Sequence, residues 1–140
     1  MVRKMKLNTA PFELIRSGKK IFELRLYDDK RRKLEIGDTI KFSNVSEPEE
    51  QIAVYVKALL RFTDFESLFE EIGLERCGNG ADDSVNDAVQ RMYIYYSKED
   101  IIRYGALAIK VEMRNLDEAL TELKQEEAML YEHNFPDGMK

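Results

Sequence analysis

Eight residues, Gly18–Arg25, combine charged and apolar side chains in an order that could do chemistry. Side chains of an extended strand alternate between its faces, so Glu23 and Arg25 fall on one face, about 7 Å apart. Lys20 enters just before the strand, and Gly18 can supply a tight turn ahead of it. Together, these charged groups can flank and orient a polar ligand. The alternative is an exposed sheet face whose Glu–Arg pair contributes about 0–1 kcal/mol.

Other groups for catalysis are scarce. The chain has one histidine, His133, near its end, and one cysteine, Cys77. With a single histidine near the end of the chain, the sequence offers almost no residues for a Ser-His-Asp triad. It also contains no Walker loop, no dinucleotide-binding glycine fingerprint and no metal-ligand spacing. We expect no metal and no cofactor, and Lys20 and Glu23 are the catalytic candidates if the protein is an enzyme. Burial and Arg25 would lower the pKa of Lys20 while Glu23 would raise it, so both outcomes stay open.

The composition is typical of a soluble, single-domain globular protein, with 140 residues, 44% hydrophobic and 35% charged. A single cysteine rules out an internal disulfide and favours a reducing compartment. The basic start lacks the apolar region of a signal peptide, and no run approaches the roughly 18 apolar residues of a membrane span. We therefore expect a cytoplasmic protein with no membrane partner.

Charge is unevenly distributed along the chain. The net charge of −5 argues against tight, non-specific nucleic-acid binding. Residues 1–33, however, hold 11 Lys and Arg against four Asp and Glu, whereas residues 34–140 hold 11 against 23. A basic first quarter on an acidic body predicts one face that suits anions. The alternative is that clusters such as Lys30–Lys33 are simply solvated.

Periodicity predicts a mixed α+β chain. Alternating apolar residues predict strands over 5–7, 21–26, 39–42, 51–62 and 106–113. Three- and four-residue spacing predicts helices over 11–17, 64–72, 82–92, 98–104 and 116–133, with a tail over 134–140. Strand 51–62 is apolar on both faces, which favours a central position. These elements indicate a mostly antiparallel sheet or small barrel with helices at its edges.

An aromatic cluster separates the third and fourth predicted helices. Tyr93, Tyr95 and Tyr96 could stack on a base or bond a ligand, or they could simply pack half-buried. Ser97, which follows, suits the N-cap of the next helix better than the role of a nucleophile.

The pattern Gly18-x-Lys20-x-x-Glu23-x-Arg25, after a short helix and before an Ile36-Gly37-Asp38 turn, resembles the signature of the ASCH domain family within the PUA-like superfamily. The segment from Tyr93 through Ile109 is similar to the closing portion of bacterial ASCH proteins. The resemblance covers residues 3–113. We therefore expect an ASCH domain over 1–114 and a C-terminal helical extension and tail over 115–140.

The resemblance implies a small, mostly antiparallel PUA-like β-barrel flanked by helices, with a cleft where the motif residues gather. It also implies binding of RNA or a nucleotide-like ligand. The expected ligand-binding residues are Gly18, Lys20, Glu23, Arg25, Tyr93, Tyr96 and Ser97.

A hydrolase is the alternative function. One bacterial branch that this chain resembles deacylates N4-acetylcytidine with a Lys, a Thr and a Glu. That branch has Thr three positions after the Lys, where this chain has Glu23, so a Thr nucleophile cannot be carried over. Water-based hydrolysis with Lys20 or Glu23 as base, on N4-acylated cytidines or RNA, stays open. A homodimer through the terminal helix is a further expectation.

Overall fold

One β-sheet and five α-helices form the described part of the chain, residues 1–133, in this computed structural model. The strands are β1 (Val2–Leu7), β2 (Phe22–Leu26), β3 (Thr39–Asn44), β4 (Gln51–Phe62) and β5 (Ala106–Arg114). The helices are α1 (Thr9–Arg16), α2 (Phe65–Ile72), α3 (Val85–Met92), α4 (Lys98–Tyr104) and α5 (Leu116–His133). Two short 3-10 turns lie at Arg31–Lys33 and Glu75–Cys77.

The sheet order places the motif strand at an edge. The strands follow the order β1-β3-β4-β5-β2, with β1 parallel to β3 and the other three pairs antiparallel. Strand β4 is central, as its apolar residues on both faces predicted. The sheet curls into a half-barrel whose two edges are β1 and β2, which confirms the expected α+β, PUA-like architecture.

The alternation of β2 divides its side chains between two hydrophobic clusters. The outer cluster, between the sheet and helices α2, α3 and α4, contains the apolar residues of β2: Phe22, Leu24 and Leu26. The inner cluster fills the half-barrel beneath α1, with Phe12 and Phe42 fully buried. Tyr27 packs against the inner cluster, so Glu23 and Arg25, four and two residues earlier, share that side of β2.

Side-chain caps begin the helices that follow the sheet's longest strand. Ser97 Oγ accepts a hydrogen bond from the backbone N–H of Asp100 at 3.1 Å, which confirms it as the N-cap of α4. Helix α3 begins at Val85, three residues later than predicted, because Ser84 Oγ accepts from the backbone N–H of Asp87 at 3.0 Å and sets the first turn there.

Helix α5 packs back onto the sheet. Ala119 is buried, and the Glu126 carboxylate accepts a hydrogen bond from the first backbone N–H of β1 at 3.0 Å. Ala128 and Leu130, further along the same helix, are exposed. The predicted tail, 134–140, lies outside the described residues. Within residues 1–133, no helix is both long enough and apolar enough to cross a membrane.

Candidate functional site

Glu23 lies at the centre of a buried trio of charges. Its Oε1 is 3.0 Å from Lys20 Nζ, and its Oε2 accepts a hydrogen bond from Arg25 Nε at 2.8 Å. The side chains of Glu23, Lys20 and Arg25 are only 5%, 11% and 14% exposed. The alternative of an ordinary exposed sheet face is therefore wrong for these three residues.

The two cations keep Glu23 ionised. Burial by itself would raise the pKa of this carboxyl, but the Lys20 ammonium and the Arg25 guanidinium together outweigh it, and the pKa lies below its usual value. At neutral pH the trio therefore carries a net charge of +1. A lowered pKa also makes Glu23 a weak base, because proton affinity falls with pKa.

Local backbone structure fixes Lys20. Its backbone N–H donates to the Leu14 carbonyl of α1 at 3.0 Å, and its aliphatic stem crosses Gly78. A Cβ at Gly78, which has φ +89°, would come within 2.8 Å of Lys20 Cδ. Only glycine therefore suits this position on both counts, backbone conformation and space.

Arg25 bridges the two edges of the half-barrel. While its Nε holds Glu23, its Nη2 donates to the backbone carbonyl of Lys6 in β1 at 2.8 Å. A guanidinium has five N–H donors, so donors remain for a ligand after both bonds are made. The Lys20 ammonium has three donors, and Glu23 is its one partner among the described residues.

A cavity of about 380 Å³ opens beside this trio, between the edge of β2, the start of α1 and the α2–α4 region. Its lining includes four basic side chains and one carboxylate, which makes it locally positive although the chain is acidic. Those charged residues are Lys6, Lys20, Glu23, Arg25 and Arg91.

The far wall of the cavity is aromatic and polar. Tyr96 stacks on Phe65, with ring centroids 6.0 Å apart, and burial raises the pKa of its hydroxyl. Tyr95, 59% exposed, also borders the cavity and leaves a ring face available. Arg91 donates to Asn79 Oδ1 at 2.9 Å, which orders this wall. Arg91 Nη2 also lies 2.9 Å from Asp83 Oδ2, so this cation is already paired and the wall offers chiefly a stacking surface.

Cys77 lines the same cavity, but its thiol is expected to be unreactive. Burial raises the pKa of its thiol to about 11, despite the nearby Lys20 and Arg76, so at neutral pH it stays protonated and is a poor nucleophile. Among residues 1–130, whose side chains the structure describes, no group of three or more His, Cys, Asp or Glu side chains could hold a metal ion.

The structure brings four of the seven expected ligand-binding residues to one cavity: Lys20, Glu23, Arg25 and Tyr96. Gly18, with φ +80°, borders a second groove of about 360 Å³ on the other side of Lys20. Tyr93 and Ser97 are not among the residues that line the main cavity: the Lys98 ammonium lies over the Tyr93 ring, and Ser97 caps α4. Binding by any of the seven stays a prediction.

Several residues that line the main cavity were not predicted from the sequence. Ala88, Arg91 and Met92 have helical spacing on one face of α3, so Arg91 could have been found from its apolar neighbours. Lys6 could have been found from the alternation of β1. Asn79, by contrast, lies in a loop whose position depends on packing between distant segments, and no local signal marks it.

A mixed sheet curled into a half-barrel, with helices on its outer side and a cavity at its open edge, defines a PUA-like α+β domain. The chain belongs to the ASCH domain family, whose sequence model, described as "ASCH domain", matches residues 5–115.

Solved structures agree with this assignment. The crystal structure of hypothetical protein PH0355 is 33% identical, covers 81% of this chain and 100% of its own, and superposes with a TM-score of 0.73. The solution structure of protein PF0455 from Pyrococcus furiosus is 34% identical, covers 81% of this chain and 97% of its own, with a TM-score of 0.66.

The crystal structure of the ZmASCH S128A mutant protein from Zymomonas mobilis is more distant. It is 19% identical, covers 83% of this chain and 75% of its own, and has a TM-score of 0.58, so the similarity shows the fold alone. A comparison with curated proteins gave no significant match.

Proposed function

We propose that this ASCH protein binds RNA or a nucleotide-like ligand in the cavity at the edge of β2. The observation that supports this most directly is a cavity of about 380 Å³ with four basic side chains against one carboxylate. That volume lies within the usual range for small-molecule sites. ASCH proteins are generally linked to RNA binding or hydrolase activity, which agrees with a site of this charge.

The proposed roles follow from the free donors and surfaces of the site. Arg25 and Lys6 offer cationic N–H groups to phosphate or carbonyl oxygens at the β1 side of the cavity. Tyr95 offers an exposed ring on which a base can stack. Glu23 orients the two cations beside it and keeps their positions fixed before a ligand arrives.

A binding screen tests the proposal directly. The full chain would be titrated by calorimetry with nucleosides, ribonucleoside monophosphates and short single-stranded RNAs. We expect Arg25→Ala to weaken binding by tenfold or more, because a charge-assisted contact is lost. Arg16→Ala is the matched control, since Arg16 is exposed, pairs with Glu13 and does not line the cavity. The proposal would be contradicted if none of these ligands bound, or if Arg25→Ala and Arg16→Ala lost the same amount of affinity.

A hydrolase acting at the same cavity is the second candidate, because Lys20 Nζ, held 3.0 Å from Glu23 Oε1, keeps two further N–H donors that can polarise a substrate carbonyl. The substrates would be N4-acylated cytidine-type nucleosides or RNA, with Lys20 and Glu23 as catalytic residues. Product analysis on each ligand that binds would test this. Turnover that Lys20→Ala and Glu23→Gln both abolish, in variants that keep the native circular-dichroism spectrum, would support it. Binding without products would contradict it.

Two further predictions concern the whole protein. A cytoplasmic location stays a prediction. A homodimer through α5 also does, and it would use the exposed side chains of Met129 and Leu130. Sedimentation equilibrium of the full chain, with a Met129→Glu/Leu130→Glu variant beside it, would decide. A dimer that dissociates in the variant would support the prediction, and a monomer at all concentrations would contradict it.

A further inference from the structure

The backbone of β2 presents polar groups at its free edge. In an antiparallel pair, alternate residues direct both their N–H and their C=O at the partner strand. The Ile21 carbonyl accepts from the Val111 N–H at 2.9 Å, and the Tyr27 N–H donates to the Gly105 carbonyl at 3.0 Å. Odd-numbered residues of β2 therefore face β5, and Leu24 directs its N–H and C=O away from the sheet.

The main cavity lies against this edge. Glu23 and Arg25 on one face of β2, and Leu24 on the other, all contribute to its lining. A cavity that touches both faces of an edge strand must also pass across the edge between them. The Leu24 backbone groups therefore point into the cavity, although Leu24 as a whole is only 8% exposed and its side chain packs in the outer cluster.

Among the residues of β2 that direct their N–H and C=O away from the sheet, which are Phe22, Leu24 and Leu26, only Leu24 lines the cavity. Beside it, Arg25 Nη2 donates to the Lys6 carbonyl at 2.8 Å, a side-chain contact that leaves the Leu24 backbone groups free. Strand β2 pairs with β5 alone, and no other residue within 1–130 bonds to the outward N–H or C=O of Leu24. Because these two groups open on the cavity, a ligand bound there can pair with them in place of water.

We propose that the Leu24 N–H and C=O form a paired hydrogen-bond contact with the edge of the ligand's base. This inference rests on the proposed function and extends it, since it assigns base recognition to the backbone of β2 rather than to a side chain. A neighbouring donor and acceptor match the hydrogen-bonding edges of nucleobases, which carry the same two kinds of group side by side.

The surrounding residues suit this orientation. Arg25 and Lys20 flank Leu24 and can take the charged or carbonyl oxygens of the ligand. Tyr95, on the far wall, offers a ring to the flat face of a base whose edge meets Leu24. A sugar phosphate without a base would meet the cations but leave the Leu24 pair unbound.

Amide NMR on the 15N-labelled full chain tests the inference. Each of the four ribonucleoside 5′-monophosphates would be titrated, with ribose 5-phosphate as the matched ligand that lacks a base. We expect the Leu24 amide resonance to shift, and its hydrogen exchange to slow, with at least one nucleotide and not with ribose 5-phosphate. A nucleotide that binds without affecting Leu24, or an equal shift with ribose 5-phosphate, would overturn the inference.

A backbone ester at Leu24 provides the second test. Replacing Leu24 with its α-hydroxy acid removes the N–H but keeps the side chain, so the outer cluster stays intact. We expect nucleotide affinity to fall about three- to tenfold, the value of one hydrogen bond, with ribose 5-phosphate affinity unchanged. The same replacement at Leu26 is the control, because its N–H also points outward but Leu26 does not line the cavity.

The two tests separate the two levels of the proposal. If no nucleoside, nucleotide or short single-stranded RNA binds, the proposed function fails and the inference fails with it. If they bind and the esters at Leu24 and Leu26 behave alike, the inference alone is wrong and the cavity recognises its ligand through side chains.

Discussion

At the residue scale, Glu23 determines how the site responds to acid. Its pKa is lowered in the folded state, so its contribution to stability is fully present above the usual glutamate pKa of about 4.3 and is lost as pH falls toward the lower, folded-state value. We predict that Glu23→Gln costs about 3 kcal/mol at pH 7, since it leaves two buried cations without their carboxylate. The cost should shrink below pH 4.

Urea unfolding at pH 7 and pH 3 measures this difference. Glu13→Gln is the control: Glu13 also pairs with an arginine, Arg16, but both side chains are nearly half exposed. It should change stability little at either pH. An equal cost for Glu23→Gln at both pH values would show that the charge of Glu23 does not carry its effect.

A second prediction at the residue scale concerns Gly78, where a substitution would both strain the backbone and displace Lys20. We predict that Gly78→Ala lowers both stability and nucleotide affinity, since its Cβ would press on the stem of Lys20 and move the ammonium from Glu23. Gly73→Ala is matched: φ is +97° there, but nothing lies within 4 Å of its Cβ.

Both glycine variants should lose about 1–3 kcal/mol because φ is positive at both positions, although Gly78 alone is in the left-handed helical region. Thermal unfolding and calorimetric titration would measure the two effects separately. If Gly73→Ala weakened nucleotide binding as much as Gly78→Ala, the contact with Lys20 would not be the cause.

At the element scale, the turn between α3 and α4 carries residues with two different roles. Ser97 caps α4, while Tyr95 borders the cavity. We predict that Ser97→Ala lowers stability by about 1 kcal/mol and leaves nucleotide affinity unchanged. Tyr95→Ala should do the reverse and weaken binding by about 1–3 kcal/mol, the value of base stacking. If Ser97→Ala, which keeps Tyr95, weakened nucleotide binding, the result would instead support the predicted contact between Ser97 and the ligand.

The elements themselves were largely predictable, since their signals are local. The alternation over 22–26 gave both faces of β2 correctly, and a serine before an acidic turn marked the start of α4. The edge position of β2 could not be predicted in the same way, because it depends on pairing with β5, which lies 80 to 88 residues further along the chain. The approach of Gly78 to Lys20 is non-local for the same reason.

At the scale of the whole molecule, the question is how an acidic protein can attract an anion. The net charge is −5, yet the cavity lining carries four cations against one carboxylate. Much of the basic first quarter is also engaged elsewhere: Arg3 contacts Asp38, and Arg31 contacts Asp28. Long-range attraction is therefore weak, and the affinity must come from the few cations at the cavity.

This balance predicts a shallow but measurable salt dependence. Single-stranded RNA affinity should fall with salt, and Lys6→Ala should reduce the slope of log K against log salt by about 0.7, the value for one phosphate contact. Lys4→Ala is the matched control, because Lys4 is an exposed lysine of the same strand that pairs with Glu127 and does not line the cavity. Fluorescence anisotropy from 50 to 300 mM salt would give both slopes. A flat wild-type series would contradict phosphate contact, and equal changes in the two variants would mean that the RNA responds to overall charge rather than to the cavity.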